Sequence, residues 1–211
     1  QLLQELENAI SIAQAEYSGE RQNDRLERFD RSVRLVIDAL ESVLSYGLKT
    51  SMDQSNRYGY WAYVSQVSKV LPDSDMIVTM IDHMPNSSVI ADEGFWEKKS
   101  SDHEDFENSE SEEEEPGGGA DEAVVDTYQE SLGKGRAFVV VGLNKEFLAE
   151  YLNALITEPN GTVGPAHYED HSIIRSPKDS RYLIAQLETL GAIEFNINID
   201  DAWDRGDAVD D

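Results

Sequence analysis

The chain has 211 residues, enough for one domain with a tail, and its 39% hydrophobic content with nine Tyr, six Phe and three Trp can build a core. Its formal net charge of -26, from 17 basic against 43 acidic residues, excludes nucleic acid as a partner and a generic anionic membrane surface, because both must be met by Lys and Arg. Cysteine is absent, which removes disulfides, thiolate metal sites and cysteine nucleophiles together.

No apolar run reaches bilayer length, so direct membrane insertion is not expected. The chain opens on Gln1 rather than Met, as a piece of a longer protein would, and shows no secretory leader. A cytoplasmic compartment is therefore expected. Asn86-Ser87-Ser88 and Asn160-Gly161-Thr162 fit the glycosylation acceptor pattern and read as chance matches.

Taken in order, Leu3, Leu6, Ile10, Ala13 and Tyr17 predict a first helix over 1–18. Asn23 or Asp24 is positioned to cap a second, long helix. Its stripe runs through Leu26, Phe29, Val33, Val36, Ile37, Leu40, Val43, Leu44 and Leu48. Met52 to Tyr58 reads as a loop. Trp61, Val64, Val67 and Leu71 give a third helix stopped by Pro72. Ser74 is placed to cap a fourth, with Ile77, Met80, Ile81 and Met84, ended by Pro85.

Periodicity then disappears. Residues 95–122 hold Glu112–Glu115 and Pro116-Gly117-Gly118-Gly119, and are expected to form a disordered acidic insert. Order returns at Val124. Leu132 to Ile156 reads as two helices broken near Gly142-Leu143-Asn144, with Asn144 as the second cap. Pro159-Asn160-Gly161 is a turn. Ser176-Pro177-Lys178-Asp179 is a strong helix start, with Ser as cap, Pro in the first turn and an acid at the third position. Gly191 ends that helix. Phe195, Ile197 and Ile199 alternate with polar residues in a short extended segment, and 202–211 is an acidic tail. The expectation is an all-α, irregular bundle of about eight helices, a single domain over 1–201 interrupted by the insert.

Little of this points to catalysis. His167 and His171 are four apart and would share a face if helical, but Tyr168 stands where a zincin motif needs Glu. A metal-dependent hydrolase on this pair is the weakest reading. Gly133-Lys134-Gly135-Arg136 lacks the spacing of a phosphate loop and reads as a basic helix entrance. Ser101, Ser109 and Ser111 each have Glu three residues later, the spacing of acidophilic-kinase substrates. No cofactor motif is present, and no enzyme is expected.

Several blocks carry a resemblance. Leu40-Glu41-Ser42-Val43-Leu44-Ser45-Tyr46-Gly47-Leu48-Lys49 resembles the L-E-x-x-L-x-H-G-L-[KR] block of RUN domains, and Trp61 stands where that family opens its next helix. Gly133-Lys134-Gly135-Arg136-Ala137-Phe138 resembles G-[KR]-[GS]-R-A-[WF]. Leu143-Asn144-Lys145-Glu146, followed by Leu148, Tyr151 and Leu152, is similar to its continuation. Tyr168-Glu169-Asp170-His171-Ser172 is similar to Y-E-D-W-S, and Phe195 to Asp200 to the closing F-x-[IL]-[ND]-[IL]-D. Tyr46 replaces the usual His and His171 the usual Trp.

The resemblance implies a non-catalytic helical adaptor that binds a GTP-bound small GTPase of the Rab, Rap or Arf-like class in membrane trafficking. It also implies that a motor or cytoskeletal protein is an alternative partner, bound without regard to nucleotide. Relatives use basic residues of the first two blocks for binding, which implies Tyr46, Lys49, Lys134 and Arg136 as the partner site here. Such a site also suits a GTPase surface physically, since a few cations beside apolar groups match acidic side chains around an apolar patch.

Overall fold

A computed structural model describes residues 1–18, 26–27, 30–49, 59–91 and 121–200, the first eight of the last stretch by backbone alone. Helix α1 (Leu2–Tyr17) buries Leu6, Ala9, Ile10 and Ala13, the face predicted by the spacing. It packs on α2 (Arg31–Ser45), whose buried stripe is Val33, Val36, Ile37, Leu40, Val43 and Leu44.

Helix α2 is shorter than its stripe predicted. Leu26 and Glu27 form a two-residue strand, β1, parallel to β2 (Phe195–Asn196), with Leu26 opposite Phe195. At the other end the helix stops before Gly47, and Leu48 bridges to Tyr168. Leu26 is fully buried by pairing rather than by helical continuation, because period 3.6 and an isolated strand position look alike for a single apolar residue. Asn23, Asp24 and Phe29 lie outside the described residues, as do Met52 to Tyr58.

The third predicted helix is two single turns, α3 (Trp61–Val64) and α4 (Val67–Val70), separated at Ser65-Gln66. Ser74 does not cap α5 (Asp75–Asp82). It is buried in a 3-10 turn over Pro72–Ser74, where its hydroxyl donates to the Leu71 carbonyl at 2.6 Å. A five-residue helix, α6 (Ser87–Ala91), falls where no pattern was legible.

Helix α7 (Asp121–Asn144) runs through the middle of the molecule, against α6 along one side and α2, α3 and α5 on others. Gly133-Lys134-Gly135-Arg136 therefore lies in mid-helix and is not a helix entrance. A mid-helix Gly costs about 1 kcal/mol relative to Ala. Both glycines are required by contact: a Cβ on Gly133 would lie 1.6 Å from the Ser87 carbonyl oxygen, and one on Gly135 would lie 2.6 Å from the Tyr60 ring.

The predicted break between α7 and α8 (Leu148–Ile156) exists, but Asn144 does not cap α8. Glu146 N–H bonds Leu143 O at 3.3 Å and Phe147 N–H bonds Gly142 O at 3.1 Å, the paired bonds of a Schellman stop, with Glu146 itself at φ 60. Asn144 instead brackets the chain's last extended segment: its amide donates to Ile197 O at 2.9 Å and its carbonyl accepts from Ile197 N–H at 3.0 Å. Phe147 and Tyr151 stack at 4.1 Å beside Phe138, which fixes the angle between α7 and α8.

The start of α10 (Pro177–Thr189) is as expected, with Ser176 Oγ accepting from Asp179 N–H at 3.3 Å. Helix α10 packs on α1 and α8, and the predicted alternation holds, with Phe195, Ile197 and Ile199 buried. The fold is all-α apart from the single short strand pair among the described residues. No described helix is long and apolar enough to cross a membrane.

Candidate functional site

Two distant chain segments meet at the end of α2. Gly47 has φ 74, a backbone that L side chains resist, and a Cβ there would come 2.7 Å from the Ser172 Cβ. The close approach lets Glu169 N–H bond Gly47 O at 2.8 Å and Lys49 N–H bond His167 O at 2.9 Å. Tyr168 enters the core and is fully buried, its hydroxyl donating to Leu44 O at 2.5 Å and its ring edge-on to Tyr63 at 4.9 Å. Burial pushes the Tyr168 phenol well above its ordinary range.

Around this anchor the side chains point outward. Tyr46 is 43% exposed and its ring meets His171 edge-on at 5.5 Å. The Lys49 ammonium donates at 2.6 Å to the carbonyl of Pro165, the middle residue of α9 (Val163–His167). His167 closes that helix, and Tyr168 is already extended, so His167 and His171 do not share a helical face. They meet different rings, Tyr63 and Tyr46. Burial first, then the charges of Lys69 and Lys49, holds the His167 imidazole below its usual range. No group of three His, Asp or Glu among the described residues is placed to hold a metal ion. Arg175 donates to Tyr168 O at 3.3 Å and pairs with Asp170.

The other two predicted partner residues are elsewhere. Lys134 pairs with Glu130 at 3.0 Å and Asp82 at 3.4 Å, leaving 14% of its side chain exposed. Arg136 is 7% exposed and faces inward. It grips Glu41 with a two-bond fork, Nε to Oε1 at 2.9 Å and Nη2 to Oε2 at 3.0 Å. Its Nη1 donates to the carbonyls of Ile90 at 3.1 Å and Ala91 at 2.8 Å, at the C-terminal end of α6. Tyr60 OH donates to the same Glu41 Oε1 at 2.9 Å. Burial alone would lower the Arg136 pKa, but the Glu41 hydrogen bonds and charge outweigh it and the net direction is up. The Tyr60 phenol is raised, by burial and then by Glu41. These bonds take up the Arg136 guanidinium within the fold and tie α2, α6 and α7 together.

Sequence reasoning missed His171 as the neighbour of Tyr46, and Lys69 and Arg175 as further cations of this face. The signal was the Tyr168–Ser172 block, which had to meet something if Tyr168 was core. Ser101, Ser109 and Ser111 lie outside the described residues.

A comparison with protein-family models finds the RUN domain over residues 36–201. The chain belongs to the RUN domain family. That match takes in the α2 end, the Arg136 network, the Tyr168 anchor and the closing segment. No curated protein matched the chain. RUN domains are interaction modules for small GTPases, linked to membrane trafficking and generally non-catalytic.

Proposed function

We propose that this RUN domain docks a GTP-bound small GTPase of the Rab, Rap or Arf-like class through the face that carries Tyr46 and Lys49. One observation supports the reading above the rest: Tyr46 is a large aromatic residue left exposed three residues before the exposed Lys49, at a junction whose backbone is bonded across through Gly47, Tyr168 and Glu169. An exposed Tyr next to basic groups on a preorganised backbone is the type of residue that dominates binding energy at interfaces. Lys49, Lys69 and Arg175 supply positive potential that an acidic switch surface can meet, in a chain whose net charge is otherwise repulsive to it. Such docking would bring a cytoplasmic adaptor to vesicle or organelle surfaces through its partner.

The test is a panel of Rab, Rap and Arf-like GTPases, loaded with a non-hydrolysable GTP analogue or GDP and captured on the immobilised domain. GTP-selective capture of at least one member is expected. Capture of none, or equal capture in both nucleotide states, contradicts the reading. Nucleotide-independent capture of a motor or cytoskeletal chain would favour the scaffold alternative instead.

A further inference from the structure

Between α8, α9 and α10 the molecule has a cleft of about 430 Å³. Its walls are the end of α8, the loop over 157–161, Gly164 and Pro165 of α9, the segment before α10 and the first turns of α10. The floor is apolar, with Leu155, Ile156, Ile174 and Ile184. The rim carries two arginines, Arg175 and Arg181, and one acid, Glu158.

These charges do not cancel. The Glu158 carboxylate is occupied by its own loop, accepting from Asn160 N–H at 2.9 Å and Thr162 N–H at 2.8 Å. The Arg175 guanidinium donates to Tyr168 O at 3.3 Å and pairs with Asp170, whose side chain is 89% exposed, so water screens that ion pair and a competing carboxylate can replace it. Arg181 makes no hydrogen bond or ion pair among the described residues. Asn153, exposed on the opposite wall, has a carboxamide likewise without a partner among them, and an amide matches the donor and acceptor of a peptide bond.

We infer that this cleft is a second docking site, which takes a short acidic segment of a partner protein with one apolar side chain seated between its carboxylates. The volume is in the range of sites that enclose a ligand group, and an apolar floor with a few fixed polar groups is their usual chemistry. The apolar side chain covers the isoleucines, the flanking carboxylates meet Arg181 and Arg175, and Asn153 reads the backbone between them. A short segment brings only a few negative charges against the chain's long-range repulsion, whereas a nucleic acid brings a continuous row. The inference goes beyond the GTPase reading and does not rest on it. The two surfaces adjoin at Arg175 and at Pro165, which lines the cleft while its carbonyl accepts from Lys49.

The experiment is fluorescence polarisation with a fluorescein-labelled pentapeptide, one leucine flanked on each side by two acidic residues, titrated with the whole chain. Controls are the same peptide with glycine for leucine, and free glutamate as competitor. Saturable binding is expected, weakened at least tenfold by the glycine peptide, by Arg181→Glu and by Asn153→Trp, which fills the mouth from an exposed helical position. Both variants should retain the wild-type circular dichroism melt. GTPase affinity should stay within twofold of wild type in both. Absence of saturable binding overturns the inference, as does indifference to either variant. Equal binding of the glycine peptide, or equal competition by glutamate, reduces the site to a simple anion contact and also overturns it. Parallel loss of GTPase and peptide binding would make the cleft part of the first face and so refute a second site. If no GTPase binds the wild type, the GTPase reading fails while the peptide result still decides this one.

Discussion

Arg136 and Lys49 are both basic residues of family blocks, and both fit one docking surface on paper, yet the fold treats them in opposite ways. Arg136 lies between three helices with its fork on Glu41 and its remaining donors on the end of α6. Lys49 lies outside, tethered to one carbonyl of α9, three residues after the exposed Tyr46. The difference shows that a basic motif residue can be committed to the interior or left at the surface, and that its surroundings decide which. A guanidinium suits the interior role because its planar fork satisfies a carboxylate and two carbonyls at once; an ammonium cannot.

The largest expected effect tests the interior half. Arg136→Ala removes the guanidinium from the Glu41 carboxylate, which keeps the Tyr60 hydroxyl, and from two α6 carbonyls, and should destabilise the domain by about 3–5 kcal/mol. Urea denaturation measures this, and Arg136→Lys should recover little of it. A loss below about 1 kcal/mol would mean that the network is solvated and that Arg136 is available to a partner. Gly133→Ala should cost about 1–3 kcal/mol, since the added carbon meets the Ser87 carbonyl and α6 must move off α7. The two substitutions should be non-additive, because both detach α6 from Arg136.

The pH dependence sharpens the same contrast between interior and surface. Tyr60, Tyr63 and Tyr168 have pKa values raised by burial, so the folded state keeps these phenols neutral where the unfolded chain ionises. Their contribution is fully present below about pH 10 and is lost as pH rises beyond it. Tyrosinate absorbance should therefore show these three of the nine tyrosines ionising only with unfolding. His167 works in the other direction. Its lowered pKa gives stability present above about pH 6.5 and lost as pH falls through the folded value, and His167→Gln should flatten the denaturation midpoint over that range. The smallest effect is a gain: Glu146→Gly relieves a left-handed backbone and should stabilise by about 1 kcal/mol.

Much of the fold was legible because long amphipathic stretches declare themselves. The α1 and α10 stripes and the Ser176 cap are local features, and the structure keeps them. What was not legible depended on contacts across the chain. The five residues of α6 do not complete two turns, so no period exists to read. Leu26 and Leu48 matched a helical stripe by spacing but are held by pairing with distant residues. Gly133 and Gly135 resembled a phosphate loop because the reason for them is a neighbouring helix and a ring.

The site was half legible. The family blocks brought Tyr46 and Lys49 forward, but nothing local distinguished them from Arg136. One cue existed: Ala137, Phe138, Val139, Val140 and Val141 follow Arg136 without a polar interruption, and a helix apolar on every side is buried. A charge there requires a partner, and Glu41, set between Leu40 and Leu44, was the acid placed to provide it.

The central claim is that the exposed half of this pair of cations binds the GTPase while the interior half holds the fold. Calorimetric titration of the GTP-analogue-loaded panel member into wild type, Lys49→Glu and Lys134→Glu tests it most directly. The account predicts that Lys49→Glu weakens affinity about tenfold, or about 1.4 kcal/mol, with an unchanged thermal melt. Lys134→Glu, which disturbs the pairs with Glu130 and Asp82, should stay within about twofold of wild type, less than about 0.5 kcal/mol. Unchanged affinity in Lys49→Glu, or a larger loss in Lys134→Glu, would contradict it.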